Sequence, residues 1–208
     1  MKIVEIKKDK KHTVKVAFED GKHFNFDIDY WNSICLHIGD DLAQDAIKFH
    51  LNESDYIRAK SRAMWFLDRA DYSEKTLFQK IVAGGISDTA AARAVARLKE
   101  LGLVNDEKLA RRLAEQMSSS NISKRESYAK LYNKGISASV IKLVLEDTEF
   151  DELSQILAVI EKKYRAKMST KDDVQKVYAA LIRKGFSYSS VSEAIRKYLT
   201  EIEDNEEY

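Results

Sequence analysis

Proline is absent from this 208-residue chain. The commonest helix interrupter is therefore missing, and glycine and capping residues must punctuate the helices. There is one cysteine, Cys35, which rules out an intramolecular disulfide and any CxxC redox or zinc motif. That suits a reducing compartment, and Cys35 is expected to be a small buried hydrophobe. No apolar stretch approaches the roughly 18 uncharged residues that a membrane helix needs, and the opening MKIVEIKKDKKH has no signal-peptide core. The expectation is a soluble cytoplasmic protein with no membrane contact. A dominant charge sign is lacking too: 35 basic and 34 acidic side chains nearly cancel. Net charge therefore supports no argument for nucleic-acid binding, and only its distribution can.

The motifs of several chemistries are also missing. No GxxxxGK[ST], strand-following GxGxxG, HExxH or GxSxG occurs, so phosphate cradles, zinc proteases and the hydrolase elbow have no signature. His12, His23, His37 and His50 lie in the first 50 residues, none at metal-ligand spacing from another ligand. The pairs Asp40-Asp41 and Asp172-Asp173 read as helix caps or first-turn charges. Gly84-Gly85 ends a helical pattern and lacks the lysine and strand of a phosphate loop. The reading is a non-enzyme with no catalytic residue, metal or cofactor.

What is present begins with 44% apolar residues, enough to build cores. Alternating runs at Ile3–Ile6, Val14–Phe18 and Phe24–Ile28 have the period of half-buried strands, and Asp20-Gly21 supplies a hairpin turn. A small antiparallel meander is predicted, followed by short helices at 30–37 and at 40–51, the latter capped by Asp40 or Asp41. From about residue 55 the period becomes 3.6.

Gly85-Ile86-Ser87, Gly135-Ile136-Ser137 and Gly185-Phe186-Ser187 recur every 50 residues. Their flanks recur as well. Phe78, Tyr128 and Tyr178 share a register before the glycine, as do Ile81, Leu131 and Leu181, and Val82, Tyr132 and Ile182. After it, Ala91 matches Ile141 and Val191, Ala94 matches Val144 and Ala194, and Val95 matches Leu145 and Ile195. A left-handed glycine closes one helix, the apolar residue packs back on it, and serine caps the next. Ser73, Ser123 and Asp173 are read as N-caps of the helices before each glycine, and Ser123-Lys-Arg-Glu126 as a capping box. Further helices at about 59–70, 106–118 and 150–165 complete three sets of three.

The predicted fold is mainly α: an elongated array of three tandem three-helix sets behind a small β-rich domain. The boundaries are 1–58 for the β-rich domain, then 59–104, 105–148 and 149–202 for the sets, with a frayed acidic tail at 203–208. Residues 61–148 carry 15 basic and 11 acidic side chains, and 149–200 carry 10 and 7. The candidate contact residues are Arg111, Arg112, Lys124, Arg125, Lys130, Lys134, Arg183 and Lys184. Tyr128 and Tyr132 lie among them and could stack on bases. Their register with Phe78 and Val82, however, marks them as core.

Tandem three-helix sets with such turns resemble the RecX family of bacterial recombinase regulators over nearly the whole chain. Most specific is Leu98-Lys-Glu-Leu101-Gly102-Leu103-Val104-Asn105-Asp106-Glu107-Lys-Leu109-Ala110, similar to that family's segment between its first two sets. Lys134-Gly135-Ile136 and Arg183-Lys184-Gly185-Phe186-Ser187-Tyr188 resemble its other recurring turns. The β-rich start with Phe18-Glu-Asp-Gly21 is similar to the longer members in Gram-positive bacteria. Ser118-Ser-Ser-Asn-Ile-Ser123 departs from the pattern, standing where the family concentrates basic residues. The resemblance implies a monomeric regulator that lies in the groove of a RecA–DNA filament and inhibits ATP hydrolysis and strand exchange, modulating recombination, repair and the SOS response. The RecA filament is the expected partner, with single- or double-stranded DNA a further one. The alternatives are a direct nucleic-acid binder and a helical adaptor for another protein.

Overall fold

The structure is a computed structural model that describes residues 1–9, 12–168 and 170–206. The chain divides into two compact units, 1–105 and 106–208. In the first unit, strands β1 (Ile3–Asp9), β2 (Thr13–Phe18) and β3 (His23–Asp27) form an antiparallel sheet in that order. Val14 pairs with Phe26 and Val16 with Phe24. Alternation sends Val14, Val16, Phe18 and Phe26 into one core with Tyr30, Trp31 and Ile47.

Helix α1 spans Ile28–Ser33, shorter than the 30–37 predicted, and the Asp27 carboxylate caps it by accepting from the Asp29 and Tyr30 N–H groups. The larger departure follows it. The helices predicted at 40–51 and 59–70 are one continuous helix, α2 (Gln44–Leu67). No glycine or proline interrupts 52–58. Ser54, buried at mid-helix, accepts a hydrogen bond from the Asp27 N–H at 2.7 Å, which gives its hydroxyl oxygen a partner outside the helix. Ile47 packs in the sheet core, and Ala59 and Ala63 in the next one. Ala43 takes the N-cap position without a side-chain bond. Asp40 instead accepts from the His37 N–H, and Asp41 from the Met1 nitrogen. Cys35 is exposed, contrary to expectation, because it falls in irregular chain beyond α1 rather than on a packed stripe.

Helices α3 (Glu74–Val82) and α4 (Asp88–Glu100) pack with the second half of α2. In the second unit α5 (Asp106–Ser119), α6 (Lys124–Asn133) and α7 (Ala138–Asp147) enclose one core. A further core lies among α8 (Glu152–Lys163), α9 (Lys171–Arg183) and α10 (Tyr188–Glu206), with a 3₁₀ turn at Arg165–Lys167.

The repeated register is the register of burial. Ile81, Leu131 and Leu181 are fully buried, as are Ala91, Ile141 and Val191, and Ala94, Val144 and Ala194. Each such aliphatic side chain larger than alanine contributes about 1.5–3 kcal/mol relative to exposure. Gly85, Gly135 and Gly185 have φ of 80°, 84° and 91°, the left-handed conformation that closes α3, α6 and α9. The apolar residues that follow, Ile86, Ile136 and Phe186, are buried.

Ser73 and Ser123 cap α3 and α6 as the sequence indicates, but Thr170, not Asp173, caps α9: its Oγ1 accepts from the Asp173 N–H at 3.2 Å. The acidic residues from 201 continue α10 as far as Glu206. The last two positions of the expected tail, 207 and 208, lie outside the described residues.

Candidate functional site

The cap of α6 and the turn after α9 meet at one point. Ser123 Oγ accepts from the Glu126 N–H at 3.2 Å and donates to the Lys184 carbonyl at 2.6 Å. One hydroxyl thus starts a helix of the second set and holds the last carbonyl region of a helix in the third. Gly185 allows the approach: a Cβ there would lie 2.8 Å from Ser123 Oγ and 3.0 Å from Arg125 Cβ. Two more bonds make this joint polar. Gln155 Nε2 donates to the Ser118 carbonyl at 2.7 Å, and Ser118 Oγ to the Glu149 carbonyl at 2.6 Å.

The joint gathers four of the eight candidate cations. Lys124 and Arg125 sit in the first turn of α6, and Arg183 and Lys184 at the end of α9. Among the described residues none of these four forms an ion pair. Lys124 and Arg125 also stand beside the positive end of α6, where cations are unfavourable. Arg183 and Lys184 stand at the negative end of α9, where cations are favourable, so only the first pair occupies a disfavoured place.

The other four candidates are placed differently. Arg111 bridges Glu107 at 2.9 Å and Asp147 at 3.0 Å, tying α5 to the end of α7. Those bonds, first to Glu107 and then to Asp147, hold its guanidinium still more firmly charged. Lys130 pairs with Glu126 at 2.8 Å. Arg112 is exposed on α5, and Lys134 is the exposed C-cap of α6.

Two grooves flank the joint. One, of about 530 Å³, is lined by Lys124, Arg125, Tyr128, Lys142, Leu145 and Gly185 among others. The second, of about 700 Å³, is lined by Arg125, Ile182, Arg183 and Lys184 with their neighbours. Arg125 and Gly185 belong to both. Lys142 was missed in the sequence because it stands on the outer face of α7, and nothing local places it opposite α6. Tyr128 is half-buried against the second core, but Tyr132 is 58% exposed, correcting its assignment to the core. Its position, one residue past Leu131, is the edge of the apolar stripe, where Val82 and Ile182 are also only half-buried. The two tyrosine rings stack with centroids 6.5 Å apart and an interplanar angle of 8°.

Two of the histidines have partners within the first unit. His50 Nδ1 lies 2.7 Å from the Tyr30 hydroxyl, and His12 Nε2 3.3 Å from Asp29. Among the described residues no group of three His, Cys, Asp or Glu side chains is placed to hold a metal. Among them, too, no helix is long and apolar enough to cross a membrane.

Three-helix sets repeated on one buried register, with helix ends presenting the unpaired cations, define a helical-repeat protein built on a three-helix module. Comparison with known proteins identifies the module. Residues 59–98 match the family model "RecX, first three-helix domain", and residues 151–195 match "RecX, third three-helix domain". The regulatory protein RecX of Clostridioides difficile is 30% identical over 168 residues, 79% of each chain. That of Caldanaerobacter subterraneus subsp. tengcongensis is 28% identical over 198 residues, 94% of this chain and 98% of the relative. A crystal structure of a regulatory protein RecX superposes with a TM-score of 0.68 at 21% identity, covering 94% of this chain and 98% of that one. RecX from Lactobacillus salivarius gives 0.63 at 20% identity over 70% of this chain and 97% of its own. The chain belongs to the RecX family of regulatory proteins.

Proposed function

We propose that this chain binds the RecA–DNA filament in the cytoplasm and inhibits its ATP hydrolysis and strand exchange, acting as a monomer by binding alone. The observation that carries this reading is the meeting of Lys124, Arg125, Arg183 and Lys184 at the joint between the second and third sets, none of them in an ion pair among the described residues. A cationic joint in a RecX-family chain suits a partner made of protein and polyanion, because exposed unpaired cations gain most from neutralising phosphates or carboxylates on association. The three sets, 59–104, 105–148 and 149–202, would act as successive contact modules, and repetition raises avidity beyond that of any one contact.

The test is a RecA ATPase assay on single-stranded DNA with stoichiometric protein at low and moderate salt. Inhibition is expected, and no inhibition at either salt would remove the reading. The double variant Lys124→Glu, Arg125→Glu is expected to lose most of that inhibition with no fall in melting temperature, since both side chains are exposed and carboxylates suit the start of α6. Tight binding to naked DNA with a steep salt dependence, and no effect on RecA, would point to a direct nucleic-acid binder instead.

A further inference from the structure

We propose that the groove between α6, α7 and the turn before α10 takes a protein segment in which an acidic residue neighbours a large apolar side chain, and does not take a nucleic-acid strand. This rests on the filament reading above and assigns the groove to the protein component of that filament.

The floor is apolar: Leu145, 3% exposed, and the half-buried ring of Tyr128, with Gly185 contributing no side chain to the opening. About 530 Å³ accommodates one large side chain and its flanking backbone. One rim is cationic. Lys124, Arg125 and Lys142 are all exposed, and none forms an ion pair among the described residues. The same groove carries two carboxylates, Glu146 and Glu152, and Glu152 accepts from the Ser187 N–H at 3.3 Å, one residue before α10.

These carboxylates decide between occupants. A nucleic-acid strand brings a charge with every nucleotide, so a strand running through the groove would set phosphates against Glu146. A peptide brings one or two carboxylates where Lys124, Arg125 and Lys142 await them, and it can turn an uncharged residue toward Glu146. Stacking favours the same occupant. Tyr128 already lies parallel to Tyr132 and is half-buried, so the floor offers a side-chain slot rather than a free aromatic platform. Repulsion of the wrong partner and attraction of the right one then come from the same few residues.

A photo-cross-link separates the possibilities. Ser189→Cys in a Cys35→Ser background keeps all three rim cations and both carboxylates, and it gives one attachment point for a benzophenone maleimide two residues past the groove-lining Ser187, because Cys35 is the chain's only cysteine. The labelled protein is sedimented with RecA filaments on end-labelled single-stranded DNA and irradiated. The expected product is an adduct to the recombinase subunit, mapping to a segment with an Asp or Glu beside a Leu, Ile, Val, Met or Phe. An adduct to the DNA, an adduct to a segment without that pair, or co-sedimentation without any adduct would overturn the groove assignment while leaving the filament reading intact. Failure to co-sediment would remove the filament reading and this inference with it. Lys142→Glu is expected to weaken co-sedimentation about tenfold or more without lowering the melting temperature. Unchanged binding by that variant would count against the groove.

Discussion

Helices α3 and α6 hold the same place in consecutive three-helix sets, yet they are anchored differently. On α3, Leu77 and Ile81 both turn fully buried hydrocarbon to the core. On α6 the equivalent positions are Ser127 and Leu131, both fully buried, and the Ser127 hydroxyl has no hydrogen-bond partner among the described residues. The third set restores hydrocarbon with Val177 and Leu181. On its outer side α6 carries Lys124, Arg125 and the exposed Tyr132, whereas α3 begins with Glu74, the residue after its Ser73 cap. The repeat therefore keeps its aliphatic at Leu131 but loses it at the buried Ser127, and on the outer side it diverges where α6 meets the third set. A helix with one aliphatic anchor and an unsatisfied hydroxyl is held less firmly by its own core, and Ser123 supplies part of the balance through its bond to Lys184.

Three substitutions can break or sharpen this contrast. The largest effect is expected from Leu131→Ala, which removes the only large buried aliphatic of α6 and should destabilise the second set by about 2–5 kcal/mol. Urea denaturation followed by hydrogen exchange would report it. Equal loss of protection in α5, α6 and α7 means that the set opens as one, whereas loss in α6 alone means that this helix detaches first. Gly135→Val is expected to cost roughly 1 kcal/mol or more, because valine resists the φ of 84° that closes α6. A smaller loss would show that the turn can relax without its left-handed residue. Ser127→Val works in the opposite direction. Replacing an unsatisfied buried hydroxyl by the two methyl groups of valine, whose β-branched side chain the third set carries at Val177, should stabilise the second set by about 1 kcal/mol, seen as a higher urea midpoint with unchanged slope. No gain would mean that Ser127 is accommodated at no cost, and the contrast with Leu77 would lose its energetic meaning.

Much of the scaffold was legible beforehand. Nine of the register-matched residues around the three turns are fully buried, because a 3.6-residue stripe must face a neighbour whatever that neighbour is. The meander was legible through alternation and the Asp20-Gly21 turn, where Gly21 has φ of 82°. The misread features share a cause. Residues 52–58 look like a break because Asn52, Ser54 and Asp55 suit helix boundaries, and only the bond from the Asp27 N–H makes Ser54 at home inside α2. Tyr132 lies in a matched register, yet its exposure depends on how far the packed face of α6 extends, which the stripe alone does not determine. Asp173 and Thr170 both offer capping oxygens, and the choice between them is made by the path of the chain after the 3₁₀ turn.

The candidate site was half legible. Arg125 and Lys184 are 59 positions apart in the chain, and both border the groove beside Gly185. Arg111 has the same charge but is consumed by Glu107 and Asp147. Composition could nominate both kinds of cation and could not separate them.

By itself the sequence determined the number of helical sets, the residues that face their cores and the glycines that end their helices. These follow from local periodicity and backbone sterics, which act over a few residues. Only the tertiary structure decided that α2 is continuous, which cations remain unpaired and that Lys142 and Glu146 share a groove with α6. Those features depend on distances between helices, and packing across non-local contacts sets such distances where no local rule can.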